Sequence, residues 1–155
     1  MAKRVRLASV QRCASERAPE RTRVLIVDDL PQNRLLLGVL CEQLGLQHES
    51  AENGYEAVDQ VCSGRFDLVL MDILMPRMDG MAATRAIRAL PGPEAEIPIV
   101  AVTTAAAPGE VLRYLSVGMN DVVAKPVIRE RLADAIATAL AARQAAAEAG
   151  ERSAA

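Results

Sequence analysis

Four short apolar runs, each followed by a polar residue, constrain the fold of this chain more than any other feature of its sequence. They lie at residues 24–27, 68–71, 99–102 and 122–124. Continuous apolar runs of this length, bounded by turn residues, are typical of strands that are buried on both faces of a sheet. A fifth, weaker strand is predicted at residues 47–51. The sequence therefore predicts a sheet whose centre is covered on both sides.

The segments between these runs have helical spacing and residues that begin or end helices. In the first segment, Leu36, Leu37, Leu40 and Leu44 are predicted to form one buried stripe. Five strands that alternate with five helices predict an α/β fold, a doubly wound five-stranded parallel sheet with helices on both faces. The helices are predicted at residues 31–44, 55–63, 81–90, 108–117 and 128–140.

The two ends of the 155-residue chain differ in composition from its middle. Residues 1–22 are rich in Arg, Ser and Ala and have no strand or helix periodicity, which predicts a disordered basic N-terminal tail. Residues 141–155 hold eight alanines and are predicted to prolong the last helix and then fray. Residues 23–140 are left as one domain of ordinary size.

Composition argues against several classes of function. A net charge of −2 and an aromatic content of 2% argue against a nucleic-acid binder, because such proteins need a basic surface or aromatic stacking platforms. No apolar stretch approaches the roughly 20 residues of a membrane span. The three cysteines have no metal-binding spacing and are interpreted as reduced thiols of a cytoplasmic protein.

The polar residues that follow the apolar runs are the candidate site. Asp28 and Asp29 follow the first run, and Asp72, Thr103 and Lys125 follow the other three. Parallel strands end at the same edge of a sheet, and open α/β sheets bind ligands beyond that edge. Lys125 is one of only two lysines in a chain with 16 arginines. We therefore expect three carboxylates, a hydroxyl and an ammonium to converge.

Three carboxylates in one crevice require a compensating charge. Two carboxylates about 4 Å apart repel by roughly 4 kcal/mol at an effective dielectric constant near 20. Lys125 supplies one positive charge, and a hard divalent cation with oxygen ligands, Mg²⁺ above all, is expected to supply the rest. A carboxylate beside Mg²⁺ and an ammonium can attack a phosphorus atom, so the pattern indicates phosphoryl transfer.

The residues of this candidate site and the segments around them resemble those of a known family, the CheY-like response-regulator receiver domains, which have a flavodoxin-like fold. The resemblance covers about residues 23–140 and keeps the order Asp-Asp, Asp, Thr and Lys-Pro. The sequence motifs are most similar to those of the receivers of hybrid sensor histidine kinases. The matching segments are VLIVDDLPQNR (24–34), AENGYEAV (51–58), DLVLMDILMPRMDGMAATRAIR (67–88), IPIVAVTTAA (97–106) and GMNDVVAKPV (118–127).

The resemblance implies a phosphoacceptor and a metal site. Asp72 would accept the phosphoryl group and also bind Mg²⁺. Asp29 would bind the metal directly, Asp28 would act largely through water, and the backbone carbonyl of Leu74 would be the third protein ligand.

Two further residues would complete the phosphoryl site. The resemblance implies that Thr103 contacts the phosphoryl group and that Lys125 pairs with it. It also implies a cis peptide bond between Lys125 and Pro126.

Several residues depart from the family pattern, and three of them bear on switching or on the lifetime of the phosphorylated state. Val122 occupies the position in the last strand where an aromatic switch residue is usual, so the usual aromatic coupling is not expected here. Leu74 and Ala105 occupy positions that tune hydrolysis of the phosphoaspartate in this family, and neither side chain can hold a water by hydrogen bonding.

The function that follows is a signalling switch of a phosphorelay, not an enzyme, with a histidine kinase or a histidine phosphotransfer protein as donor and a downstream protein partner. Leu35 and Val39 are expected to lie off the buried stripe of the first helix, where they either are scattered surface residues or form a docking patch for a phosphodonor helix. Two other functions stay open. One is a receiver-like binding module that works without phosphorylation. The other is a phosphatase with an aspartyl nucleophile, which would need a second Asp where Leu74 stands.

Overall fold

The computed structural model describes residues 22–154 and contains a five-stranded parallel sheet of strand order β2-β1-β3-β4-β5. The predicted fold class is confirmed. The strands are β1 (Arg23–Val27), β2 (Gln47–Ala51), β3 (Leu68–Asp72), β4 (Ile99–Thr103) and β5 (Asp121–Ala124). The helices are α1 (Pro31–Gln43), α2 (Gly54–Cys62), α3 (Gly80–Arg88), α4 (Pro108–Ser116) and α5 (Arg129–Ala154).

The central strands are apolar throughout because helices cover both faces of the sheet. Successive residues of β1, such as Leu25 and Ile26, point to opposite faces and enter two separate cores. The core that contains Leu25 is completed by α2, α3 and α4, whereas α1 and α5 complete the core that contains Ile26. This division of the helices is the doubly wound arrangement that the alternating pattern predicts.

Short polar residues and glycines set the ends of the helices. The side chains of Asn53 and Asp79 accept hydrogen bonds from the backbone N–H groups of Glu56 and Ala82, at 2.9 and 2.7 Å, and so begin α2 and α3. Gly45, just beyond α1, has a φ of 76°, a left-handed conformation that favours glycine. These local signals explain why the helices start and stop close to the predicted positions.

The first helix corrects one prediction about the core. Leu36 is 49% exposed, although it was expected in the buried stripe. The helix instead turns Leu37, Gly38 and Cys41 inward, and the backbone of Gly38 lies against the ring of His48 on the edge strand β2. The close approach at a glycine rotates the helix, so that Leu36 faces outward.

The remaining differences lie in a connection and at the two ends. A 3₁₀ helix that the sequence did not predict occupies Pro93–Glu96, between α3 and β4. The helix α5 continues past residue 140 to Ala154. At the other end, the carbonyl of buried Thr22 accepts a hydrogen bond from the N–H of Gln47, and the rest of the predicted tail, residues 1–21, lies outside the described residues. No helix within 22–154 combines the length and apolar composition needed to cross a membrane.

Candidate phosphoryl-transfer site

The carboxyl ends of β1, β3, β4 and β5 lie side by side at one edge of the sheet, because these strands are neighbours in the order given above. Val27 pairs with Met71, so the residues that follow them, Asp28 and Asp72, emerge next to each other. Thr103 pairs with Ala124, so Lys125 emerges beside the end of β4. The sheet register thus collects the polar residues that the sequence places after separate strands.

The three aspartates form one cluster at this edge. A carboxylate oxygen from each of Asp28, Asp29 and Asp72 lies within 4.8 Å of the other two. Asp28 is fully buried and Asp72 is 6% exposed, whereas Asp29 is half-buried. Carboxylate oxygens at this separation are the donor set that a hard divalent cation prefers, so the residues present fit Mg²⁺.

Lys125 joins two members of the cluster. Its Nζ donates to Asp28 Oδ2 at 3.0 Å and to Asp72 Oδ1 at 3.4 Å, and the ammonium side chain is 18% exposed. One cation between two carboxylates leaves the cluster with excess negative charge. The peptide bond that follows Lys125 is cis, as the resemblance to receivers implies.

The excess charge affects the acidity of Asp72. Burial raises the pKa of this carboxyl above its usual value, and repulsion from Asp28 and Asp29 adds to the rise, against the opposing attraction of Lys125. The native state therefore disfavours the ionised form of Asp72. A cation bound at the cluster would reverse this preference and restore the carboxylate as a nucleophile.

Asp28 and Asp29 differ in how much of each carboxylate is already engaged. Asp28 Oδ1 accepts from the N–H of Leu30 at 2.9 Å and from Asn33 Nδ2 at 3.3 Å, while its Oδ2 faces Lys125. Within residues 22–154 the Asp29 carboxylate has no such hydrogen bond. Asp29 is therefore the freer of the two to bind a metal directly, in keeping with the roles that the resemblance implies.

Thr103 ends β4 and Leu74 follows β3, and within residues 22–154 neither has a hydrogen bond to the three aspartates. Thr103 is 1% exposed, and its Oγ1 accepts a hydrogen bond from the N–H of Ala105 at 3.1 Å. Leu74 follows β3 by two residues, and its side chain is 65% exposed. The described hydrogen bonds and ion pairs thus bring together Asp28, Asp72 and Lys125, whereas the Thr103 hydroxyl is bonded to the backbone of Ala105.

Two residues that position the site were not predicted from the sequence. Arg34 Nη1 donates to the backbone carbonyl of Asp28 at 2.8 Å and so ties the start of α1 to the end of β1. Gly80 lies against the backbone carbonyl of Asp72, where any Cβ would overlap it. The Asp79-Gly80 pair signals a helix start, but nothing in the local pattern shows which strand the glycine touches.

This fold and this acidic edge define a class of protein, the receiver domains of two-component signalling. The sequence model of the response regulator receiver domain matches residues 24–137, and the chain belongs to this family. The resemblance in the sequence is therefore confirmed.

Among known proteins the chain is similar to parts of much longer sensor kinases. It is 45% identical over 124 residues to the sensor protein GacS of Pseudomonas syringae pv. syringae, covering 79% of this chain and 13% of that protein. It is 42% identical over 109 residues to the signal transduction histidine-protein kinase BarA of Escherichia coli strain K12, covering 70% of this chain and 12% of the kinase. The chain therefore spans only about an eighth of these relatives.

A solved structure gives a similar picture of the fold. The receiver domain of a sensor histidine kinase from Pseudomonas aeruginosa PAO1 aligns with a TM-score of 0.71 and 33% identity, covering 77% of this chain and 98% of that one. That domain holds a magnesium ion in its active-site cleft.

Proposed function

We propose that this receiver domain accepts a phosphoryl group on Asp72 from a phosphohistidine donor, in a Mg²⁺-dependent reaction, and then changes the partner it binds. The observation that carries the proposal is the buried Asp28–Asp72–Lys125 arrangement at the carboxyl edge of the sheet, with Asp29 beside it. A cation site alone would not need Lys125, and a buried carboxylate alone would not need its two acidic neighbours. Phosphoryl transfer uses the nucleophile, the cation and the ammonium together.

In the proposed reaction an Asp72 carboxylate oxygen attacks phosphorus, and the bond between phosphorus and the donor's imidazole nitrogen breaks. The electron pair of that bond stays on the nitrogen, which takes up a proton from solvent, so the products are an aspartyl phosphate and a neutral histidine. Lys125 lies 3.4 Å from Asp72 Oδ1 and would pair with a phosphoryl oxygen. Asp28, Asp29, Asp72 and the carbonyl of Leu74 would hold Mg²⁺, which supplies charge neutralisation of the phosphoryl oxygens when bound.

The donor surface is proposed on the outer face of α1, which begins three residues after Asp28. Leu35 is 71% exposed and Val39 is 41% exposed, one helical turn apart, and Leu36 beside them is also exposed. The occupant we propose is the helix that carries the phosphohistidine, because the donor must bring its phosphoryl group to Asp72 and α1 borders that site.

Labelling tests the phosphoacceptor. Incubation with acetyl phosphate and Mg²⁺ should add one base-labile phosphoryl group, detected by intact mass, and EDTA should abolish it. Asp72→Ala should take no label. Label that persists in this variant would place the acceptor elsewhere, and an unlabelled parent protein would favour a binding module that works without phosphorylation. Turnover of phosphoesters would instead favour the phosphatase.

Transfer from a protein donor tests the surface of α1. Leu35→Glu with Val39→Glu should slow transfer from a phosphorylated histidine phosphotransfer protein while labelling by acetyl phosphate stays at the parent rate. Leu112→Glu, at a leucine of α4 that is 68% exposed, is the matched control. Equal slowing by the control, or no slowing by the α1 variant, would refute the docking surface.

A further inference from the structure

Tyr114 is a buried residue whose hydroxyl group has no role in the site described above. The residue lies in α4, is 2% exposed, and packs into the core on the α2–α4 side of the sheet. Its hydroxyl donates to the backbone carbonyl of Ala105 at 2.9 Å. Burial raises the pKa of Tyr114, and the neighbouring hydroxyl of Thr103 opposes this rise. The phenol therefore stays neutral and able to donate.

Ala105 is held from two sides by polar groups of different elements. Its N–H donates to Thr103 Oγ1 at 3.1 Å, at the end of β4, and its carbonyl accepts from Tyr114. A single backbone residue thus links the predicted phosphoryl-contacting hydroxyl to α4. Both polar groups of the Ala105 backbone are therefore engaged, one by the end of β4 and one by α4.

Phosphorylation would change the partner of Thr103, an argument that rests on the proposed function. A phosphoryl group on Asp72 brings charged oxygens to the edge where β4 ends. Hydrogen bonds to a charged acceptor are about twice as strong as those between neutral groups, so the Thr103 hydroxyl turns to donate to the phosphoryl group. That rotation withdraws its lone pairs from the N–H of Ala105 and frees the backbone there.

We propose that Tyr114 is the positioning residue that couples this rotation to α4, through its hydrogen bond to the Ala105 carbonyl. When the backbone at Ala105 moves, the phenol hydroxyl follows its acceptor and carries α4 with it. The coupling element is then a tyrosine of α4. Val122 of β5, which has no ring, contributes packing to the same core.

The composition of the chain allows a direct optical test. The protein has two tyrosines and no tryptophan, so in Tyr55→Phe the tyrosine fluorescence comes from Tyr114 alone. Tyr55 is 56% exposed on α2 and serves as the matched control position. In Tyr55→Phe, beryllofluoride with Mg²⁺ should change the tyrosine emission, because the hydrogen bond of the Tyr114 hydroxyl changes. An emission spectrum that does not change on binding would overturn the coupling.

Amide exchange measures the transmission itself. In the parent and in Tyr55→Phe, beryllofluoride should change exchange across residues 104–118. In Tyr114→Phe, which keeps the ring and loses only the hydroxyl, most of this change should be lost. Labelling of Asp72 by acetyl phosphate should match the Tyr55→Phe control.

The two assays separate the coupling from the function on which it rests. If Asp72 is labelled and Tyr114→Phe retains the full exchange response, the coupling through Tyr114 is overturned while the proposed function stands. If no protein in the series is labelled or responds to beryllofluoride, both proposals fall.

Discussion

Replacing Asp72 by asparagine should stabilise the protein when no metal is present. The change removes one of three clustered negative charges, keeps the shape of the side chain, and leaves Lys125 paired with Asp28 at 3.0 Å. The stabilisation arises because burial and two neighbouring carboxylates already disfavour the ionised form of Asp72. A residue proposed to carry the function is thus expected to cost stability.

The magnitude follows from the distances at the site. At an effective dielectric constant of about 20, a carboxylate at the 4.8 Å upper limit of separation in the cluster repels Asp72 by about 3.5 kcal/mol, and there are two of them. Lys125, at 3.4 Å, attracts it by about 5 kcal/mol under the same conditions. The two repulsions exceed the attraction by about 2 kcal/mol before desolvation, which corresponds to a rise in Tm of about 4–8 °C for a protein of this size.

Thermal melting in EDTA, followed by circular dichroism at neutral pH, measures this difference. The control is Asp59→Asn, which removes an exposed aspartate of α2 and should melt like the parent. An Asp72→Asn protein that melts at or below the parent would refute the electrostatic reasoning, because the clustered charges would then be compensated.

The pH dependence gives the same test a second readout. The pKa of Asp72 is raised in the native state, so the parent is favoured at low pH and loses stability as the pH rises through that raised pKa. Asparagine does not titrate. The advantage of Asp72→Asn should therefore be smaller at acidic pH than at neutral pH. An advantage that is equal at both pH values would contradict the assignment of the effect to the charge of Asp72.

Added Mg²⁺ should reduce the difference in Tm between Asp72→Asn and the parent by stabilising the parent. A ligand that binds only the native state stabilises it by about 2.7 kcal/mol at 100 times its Kd. The parent, with all three carboxylates, should gain more Tm from millimolar Mg²⁺ than Asp72→Asn, which lacks one ligand. If the melting curve of the parent does not shift with Mg²⁺, the proposed metal site is refuted.

Two further predictions concern residues around the phosphoacceptor. Leu74→Asn with Ala105→Glu should shorten the lifetime of the aspartyl phosphate, because polar side chains at these positions can hold a water for attack; equal decay of label in variant and parent would refute this. Gly80→Ala should lower the Tm and slow labelling of Asp72, since the new Cβ meets the Asp72 carbonyl, whereas Gly109→Ala meets open space and should leave labelling unchanged. Normal labelling of Gly80→Ala would show that β3 yields without cost.

The fold itself could be predicted from local patterns. Each strand is marked by an apolar run whose length and composition suit a strand covered on both faces, and each helix by periodicity and end residues such as Asn53 and Asp79. Because parallel strands present their carboxyl ends at one edge, the positions of Asp28, Asp72 and Lys125 in the sequence sufficed to predict their meeting. That meeting is found in the structure.

Contacts between elements could not be predicted in this way, because they depend on distances that no local pattern encodes. The exposure of Leu36 depends on how closely α1 approaches His48 at Gly38. The unequal engagement of Asp28 and Asp29, two adjacent residues of one type, depends on where Asn33 and Lys125 point.

The same reason explains Gly80 and Tyr114. The sequence by itself determined the strands, the helix ends and the set of polar residues at one edge, since these follow from spacing along the chain. Only the tertiary structure decided that the Gly80 backbone touches Asp72 and that Thr103 and Tyr114 bond the N–H and the carbonyl of the same residue, Ala105. Such contacts depend on how closely the elements pack against one another, which no local pattern encodes.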